Sequence, residues 1–151
     1  MNITIVAVGK IKEKYLRDAI EDYSKKLSKH VRLQLIEVSD EKTPDNASEK
    51  EEFQIKAKEG EAILKHIKDT AYVYALAIEG KIATTEELKK SIRSLDHGEG
   101  KEVVFIIGGS LGLSKEVLSR ANYKLSFSRM TFPHQLMRVI LLEQLNKIIN
   151  N

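Results

Sequence analysis

The segment VVFIIGGSLGLSKE, Val103–Glu116, reads as a buried strand, a glycine-marked turn and a capped helix start. Val103 to Ile107 is apolar at every position, without the alternation of a strand that has one wet face, so both of its faces are to be covered. Gly108, Gly109 and Gly112 then allow a sharp turn, and Ser114 with Glu116 supplies a hydroxyl cap and a favourable charge at the start of a helix. A strand covered on both sides and feeding straight into a helix is the repeating unit of a parallel α/β sheet.

The same unit recurs outward in both directions. Strand-like runs cover Ile3–Val8, Val31–Val38, Tyr72–Ile78 and, more weakly, Lys124–Phe127, with helical patterns between them. VVFII and YVYALAI, the least alternating runs, are expected at the centre of the sheet. Lys14–Leu27 has the stripe of a first helix in Tyr15, Leu16, Ala19, Ile20, Tyr23 and Leu27. Ser48 with Glu51, and Thr84 with Glu87, have the S/T-x-x-E spacing in which hydroxyl and carboxylate satisfy free amides reciprocally at a helix start. The polar stretch SDEKTPDNAS, Ser39–Ser48, is the one long loop and the expected mobile region. The last helix, His134–Ile149, is apolar at Leu136, Met137, Val139, Ile140, Leu141, Leu142, Leu145, Ile148 and Ile149, which leaves only a narrow polar strip. Two apolar faces on a terminal helix suit either a second subunit covering one of them or a helix buried deep in one monomer; the homodimer through this helix is the expectation.

The expectation is an α/β fold: a mostly parallel sheet flanked by helices, in one domain over residues 1–151. A chain of 151 residues with 42% hydrophobic content supports one core of that kind. The absence of cysteine removes disulfides and thiolate chemistry and fits a reducing cytoplasm. No apolar run approaches the roughly 20 residues that span a bilayer, and MNITIVAVGK lacks a secretory signal, so a cytoplasmic protein without a membrane partner is expected. A net charge of +3 permits a nucleic-acid partner without demanding one. Lys10, Lys12, Lys14, Arg17, Lys25, Lys26, Lys29 and Arg32 crowd the first fifth of the chain, a pattern that a solvated helix face also explains.

Ligands of open α/β sheets bind beyond the carboxyl ends of the strands. The turn at Gly108–Gly112, the turn at Glu79–Gly80 and the loop FSRMTFPH, Phe127–His134, are therefore expected to converge on one pocket. Backbone amides and apolar side chains suit an uncharged aromatic ring such as adenine better than a triphosphate, and neither G-x-G-x-x-G nor a P-loop is present. Each glycine turn alone is explained equally well by a tight strand-to-helix connection; only their joint presence points to a pocket. His30, His66, His97 and His134 are far apart, so no metal site is expected, and no G-x-S-x-G elbow supports a hydrolase. His134, beside Pro133 in a helix's first turn, reads either as a structural histidine or as a base.

AVGKIKEKY, IEVSDEKTP, KEGEAIL, VVFIIGGSLGL and above all LSFSRMTFPHQLMRVILLEQL resemble the small SPOUT-superfamily methyltransferases that modify N3 of a pseudouridine in 23S ribosomal RNA. The resemblance is in order and near-continuous from residue 1 to about 145. It implies a C-terminal deep trefoil knot, which ordinary connection rules would exclude. It also implies S-adenosyl-L-methionine as cofactor, a homodimer, and ribosomal RNA or a ribosome as partner. Carried over by position, the cofactor contacts fall on Leu76, on Gly108 and on Phe127, Ser128, Arg129, Met130, Thr131 and Phe132. His134 and Arg138 are the catalytic candidates. Two departures follow from the comparison. Members of the family continue past Glu-Gln-Leu with an aromatic-Arg-Ala segment and a Tyr-His tail, where this sequence reads LNKIINN to Asn151; and Ala77 stands where relatives usually carry an acid. The alternatives are therefore a catalytically impaired relative that binds cofactor or ribosome, and an unrelated nucleotide-binding α/β domain.

Overall fold

Strand alternation resolves the apolar run at Val103–Ile107 into two sets facing opposite ways. The structure is a computed structural model describing residues 1–95 and 101–150; His97 and Asn151 lie outside them. Strands β1 (Asn2–Val8), β2 (Arg32–Val38), β3 (Tyr72–Ile82), β4 (Glu102–Ile107) and β5 (Tyr123–Ser126) form one five-stranded sheet in the order β2-β1-β4-β3-β5. Every neighbouring pair of these strands is parallel. Strand β4 is central, as its unbroken apolar run requires. Its Val103, Phe105 and Ile107 join Ile3, Ile5, Tyr74 and Leu125 in one core, while Val104 and Ile106 join Val6, Val8 and Val73 in the other.

Helices α1 (Lys14–Leu27), α2 (Glu49–Leu64), α3 (Thr85–Ser94), α4 (Lys115–Arg120) and α5 (His134–Ile149) cover the two faces. The first core takes Leu27 from α1, Leu88 and Ile92 from α3, and Leu141, Leu142, Leu145 and Ile148 from α5. The second takes Ile63 from α2 and Val117 from α4. Each such side chain, fully buried, contributes about 1.5–3 kcal/mol. Tyr74 stacks on Phe105 with ring centroids 4.7 Å apart, and its hydroxyl is 2.6 Å from Ser91 Oγ, so the polar tip is satisfied.

Local signals act as their chemistry dictates. Both capping boxes form, at Ser48 with Glu51 and at Thr84 with Glu87. Ser114 Oγ accepts the Val117 amide at 3.2 Å to start α4. Helix α5 has no side-chain cap; Pro133 precedes it, and its missing amide is one that a helix start leaves unpaired anyway. On α5, Leu136, Val139 and Ile140 stay half-exposed.

Two expectations need correction. Tyr15 is 71% exposed and lies outside the buried stripe of α1, which is anchored by Leu16 and Leu27; adjacent helix positions point about 100° apart. Strand β3 does not end at Ile78. Leu76 and Lys81 both face Leu125 of β5, so residues 77–80 loop out and the strand resumes to Ile82. Gly80 makes this bulge possible, because a Cβ there would lie 2.6 Å from the Lys124 carbonyl oxygen.

Candidate functional site

The parallel arrangement sends the chain beyond the same edge of the sheet after β3, β4 and β5, and there the three loops enclose a cavity of about 490 Å³. Its first wall is Leu76 and the β3 bulge, its second Gly108–Leu113, its third Phe127–Pro133, and Leu125 and Ser126 also line it. The second wall folds on itself. Gly112 donates its amide to the Gly109 carbonyl at 3.1 Å and takes φ +87°, a left-handed conformation that glycine adopts without steric penalty.

The third wall is pinned from within and from outside. Ser126 Oγ donates to the Ser128 carbonyl at 3.0 Å, and Ser128 Oγ accepts the Met130 amide at 2.9 Å. Arg129 turns its guanidinium onto the β3 bulge, donating to the carbonyls of Gly80, at 2.9 Å, and of Ile78. The side chain of Arg129 thus ties the third wall to the first.

Of the residues singled out from the sequence, Leu76, Gly108, Phe127, Ser128, Met130, Thr131 and Phe132 line this cavity, and Arg129 does not. His134 and Met137 line it from the start of α5. Arg138 does not. It faces a second cavity of about 610 Å³ between α1, β2 and α5, and it is 7% exposed. There its guanidinium pairs with Glu37 at 2.5 Å and donates to the Val8 and Gly9 carbonyls at 3.3 and 2.5 Å. The structure therefore separates the two catalytic candidates, with the base of α5 as the partition.

Sequence reasoning missed Lys56, which lines the first cavity from α2. Nothing distinguishes it locally among the lysines of that helix. It also missed Glu59, 5% exposed behind the glycine turn. Glu59 Oε2 accepts the Glu41 amide at 3.0 Å. Burial foremost pushes its carboxyl up to about 7; the Glu41 amide opposes this, and the neighbouring Asp40 and Glu41 charges reinforce it. Gly109 lies alongside, where a Cβ would be 3.5 Å from Glu59 Oε1 and 3.6 Å from Asp40 Oδ1. Among the described residues, no group of three or more His, Cys, Asp or Glu is gathered as a metal ion would need.

Residues 1–150 match the family described as predicted SPOUT methyltransferase. The chain belongs to the SPOUT methyltransferase family. Within it, a protein of Clostridium novyi (strain NT) named ribosomal RNA large subunit methyltransferase H is 63% identical over 145 residues, covering 96% of this chain and 91% of that protein. A protein of the same name from Clostridium beijerinckii is 62% identical over 145 residues, with the same coverage, 96% and 91%. Two solved structures share the fold of this SPOUT chain. A probable methyltransferase from Bordetella pertussis Tohama I superposes with TM-score 0.59 at 11% identity, covering 97% of this chain and 93% of that one. A probable methylase family protein from Haemophilus influenzae Rd KW20 does so with TM-score 0.50 at 15% identity, covering 97% and 64%.

Proposed function

We propose that the chain is an S-adenosylmethionine-dependent methyltransferase acting on N3 of a pseudouridine in 23S ribosomal RNA. The observation that carries this reading is the convergence of three loops on one cavity, in a chain 63% identical to a ribosomal RNA large subunit methyltransferase H. The cavity fits the donor: about 490 Å³ lies within the range of small-molecule sites, and its lining is mostly apolar side chain and backbone. Leu76, Gly108, Phe127, Ser128, Met130, Thr131 and Phe132 would hold it, with Arg129 fixing the wall from outside.

When bound, S-adenosylmethionine supplies a methyl group on a positively charged sulfur that departs as a neutral thioether. The protein's part is first placement, since holding the base nitrogen in line with that methyl contributes much of the acceleration. Its second part concerns the N3 proton, which must leave as the new N–C bond forms. His134, on the cavity wall, is the group within this site that would take it. Arg138, held by Glu37 and the end of β1, positions the start of α5 and with it His134.

The same reading includes a homodimer through the half-exposed face of α5, a C-terminal trefoil knot and action in the cytoplasm. No helix among the described residues is long and apolar enough to cross a membrane. The test is transfer of labelled methyl from S-adenosylmethionine to ribosomes or large subunits from a host lacking its own enzyme, with mass spectrometry of the product nucleoside. Methylated pseudouridine is expected, and a blank beside an active control would overturn the reading.

A further inference from the structure

The cavity carries two formal charges that the mechanism above leaves unused. Lys56 enters from α2 and Glu79 from the β3 bulge, and apart from His134 they are the only ionisable side chains in its lining among the described residues. Neither side chain has an ion-pair or hydrogen-bond partner among the described residues. Lys56 is half-buried and shares the lining with Leu113 and Leu118. Glu79 is exposed, but its backbone is fixed on both sides, because Arg129 holds the carbonyls of Ile78 and Gly80 that flank it. The cavity thus presents a cation on one wall and an anion on another, in a lining that is otherwise mostly apolar or backbone.

That pattern is complementary to a molecule bearing a carboxylate and an ammonium beside an apolar or aromatic body. We infer that Lys56 and Glu79 bind the α-amino-acid end of the donor, Lys56 through its carboxylate and Glu79 through its ammonium. The inference rests on the donor reading and names residues that reading does not. It gives the donor an orientation: its amino-acid end, whose two charges share one carbon, is where the Lys56 and Glu79 side chains reach toward each other, and its ring is left to the apolar walls and the backbone of residues 127–132.

Calorimetric titration of the purified full chain tests it with three probes. S-adenosylhomocysteine carries both charges, decarboxylated S-adenosylmethionine only the ammonium, and 5′-methylthioadenosine neither. Lys56→Gln and Glu79→Gln should each weaken S-adenosylhomocysteine about tenfold, as expected on losing one charge-assisted contact at a partly exposed site. Neither should change the affinity for 5′-methylthioadenosine, and only Glu79→Gln should weaken the decarboxylated compound. Thermal melting close to that of the parent chain establishes that both variants are folded. Equal binding of S-adenosylhomocysteine by parent and variants overturns the inference, as does an equal loss of 5′-methylthioadenosine. So does a Lys56→Gln chain that keeps the nucleoside and loses the ribosome, which would put an RNA phosphate where the carboxylate is assigned. A parent chain that binds none of the three probes overturns the donor reading and this inference with it.

Discussion

Arg129 illustrates how one side chain changes meaning between sequence and structure. The family resemblance places it among the cofactor contacts, and its guanidinium, which does not line the cavity, reaches instead the carbonyls of Ile78 and Gly80. Removing it should loosen the first wall rather than delete a ligand contact. For Arg129→Ala we expect about a five- to tenfold weaker donor affinity by calorimetry, consistent with roughly 1 kcal/mol for hydrogen bonds made by an exposed charged group. Arg129→Lys should recover only part of this, because an ammonium cannot reproduce the planar fork that bonds two carbonyls. Full recovery by lysine would show that charge alone matters there. The three loops that line the cavity were legible because loop position after a buried strand is a local property, whereas Leu76, Phe127 and Phe132 within them came from the family resemblance. The direction of a long side chain was not legible, since it is set by acceptors 49 and 51 residues away.

At the scale of elements, start signals were read correctly wherever both partners lie within one turn. The capping boxes of α2 and α3 and the Ser114 cap of α4 need nothing beyond three residues of sequence. The β3 bulge was misread as a turn because Glu79-Gly80 looks the same locally in either case, and only β5 decides. That dependence makes Gly80 a sharp test. A Cβ at Gly80 would meet the Lys124 carbonyl oxygen and carbon at 2.6 and 2.7 Å and the Ala77 carbonyl oxygen at 3.1 Å, all of them backbone. Gly80→Ala should therefore destabilise the fold by about 1–3 kcal/mol in denaturant titration and weaken the donor as the bulge shifts. Gly112→Ala is the contrast: nothing lies within 4 Å of its added Cβ, but φ is +87°, so about 1–2 kcal/mol of backbone strain is expected without steric displacement. Helix α5 yields a prediction about assembly. Its half-exposed Leu136, Val139 and Ile140 form the face assigned to the second subunit, so Ile140→Asp should convert a dimer to a monomer in sedimentation equilibrium. A chain that is monomeric before the substitution would sink the proposed dimer.

For the whole molecule, the repeating strand-helix units were legible, whereas the order β2-β1-β4-β3-β5 was not, because it is decided by pairings between segments far apart in the chain. The buried acid of α2 was hidden for the same reason. In EKEEFQIKAKEGEAIL, Glu59 looks like any solvated glutamate. It becomes buried only because Gly60 lets α2 close on α4, where a Cβ would stand 2.4 Å from Ser114 Oγ. Once there, Glu59 joins the loop after β2 to the back of the glycine turn, facing Asp40 and Glu41, with Lys58 engaged 3.8 Å from Glu41 at the rim. Its carboxyl is raised from the ordinary 4.5 to about 7, so between those values the folded chain keeps a proton that the unfolded chain has released. The stability this provides is fully present below the lower value, declines as pH rises through the interval and is gone above the upper one. Melting temperature should accordingly fall by several degrees from about pH 5 to about pH 8 through this group. Glu59→Gln imitates the protonated acid: its amide oxygen can still accept the Glu41 amide, and its NH2 can donate to Asp40. The variant should therefore lose this part of the slope and melt above the parent at the alkaline end. A Glu59→Gln chain whose melting temperature follows the parent's pH dependence throughout would show that the buried carboxyl does not couple protonation to folding.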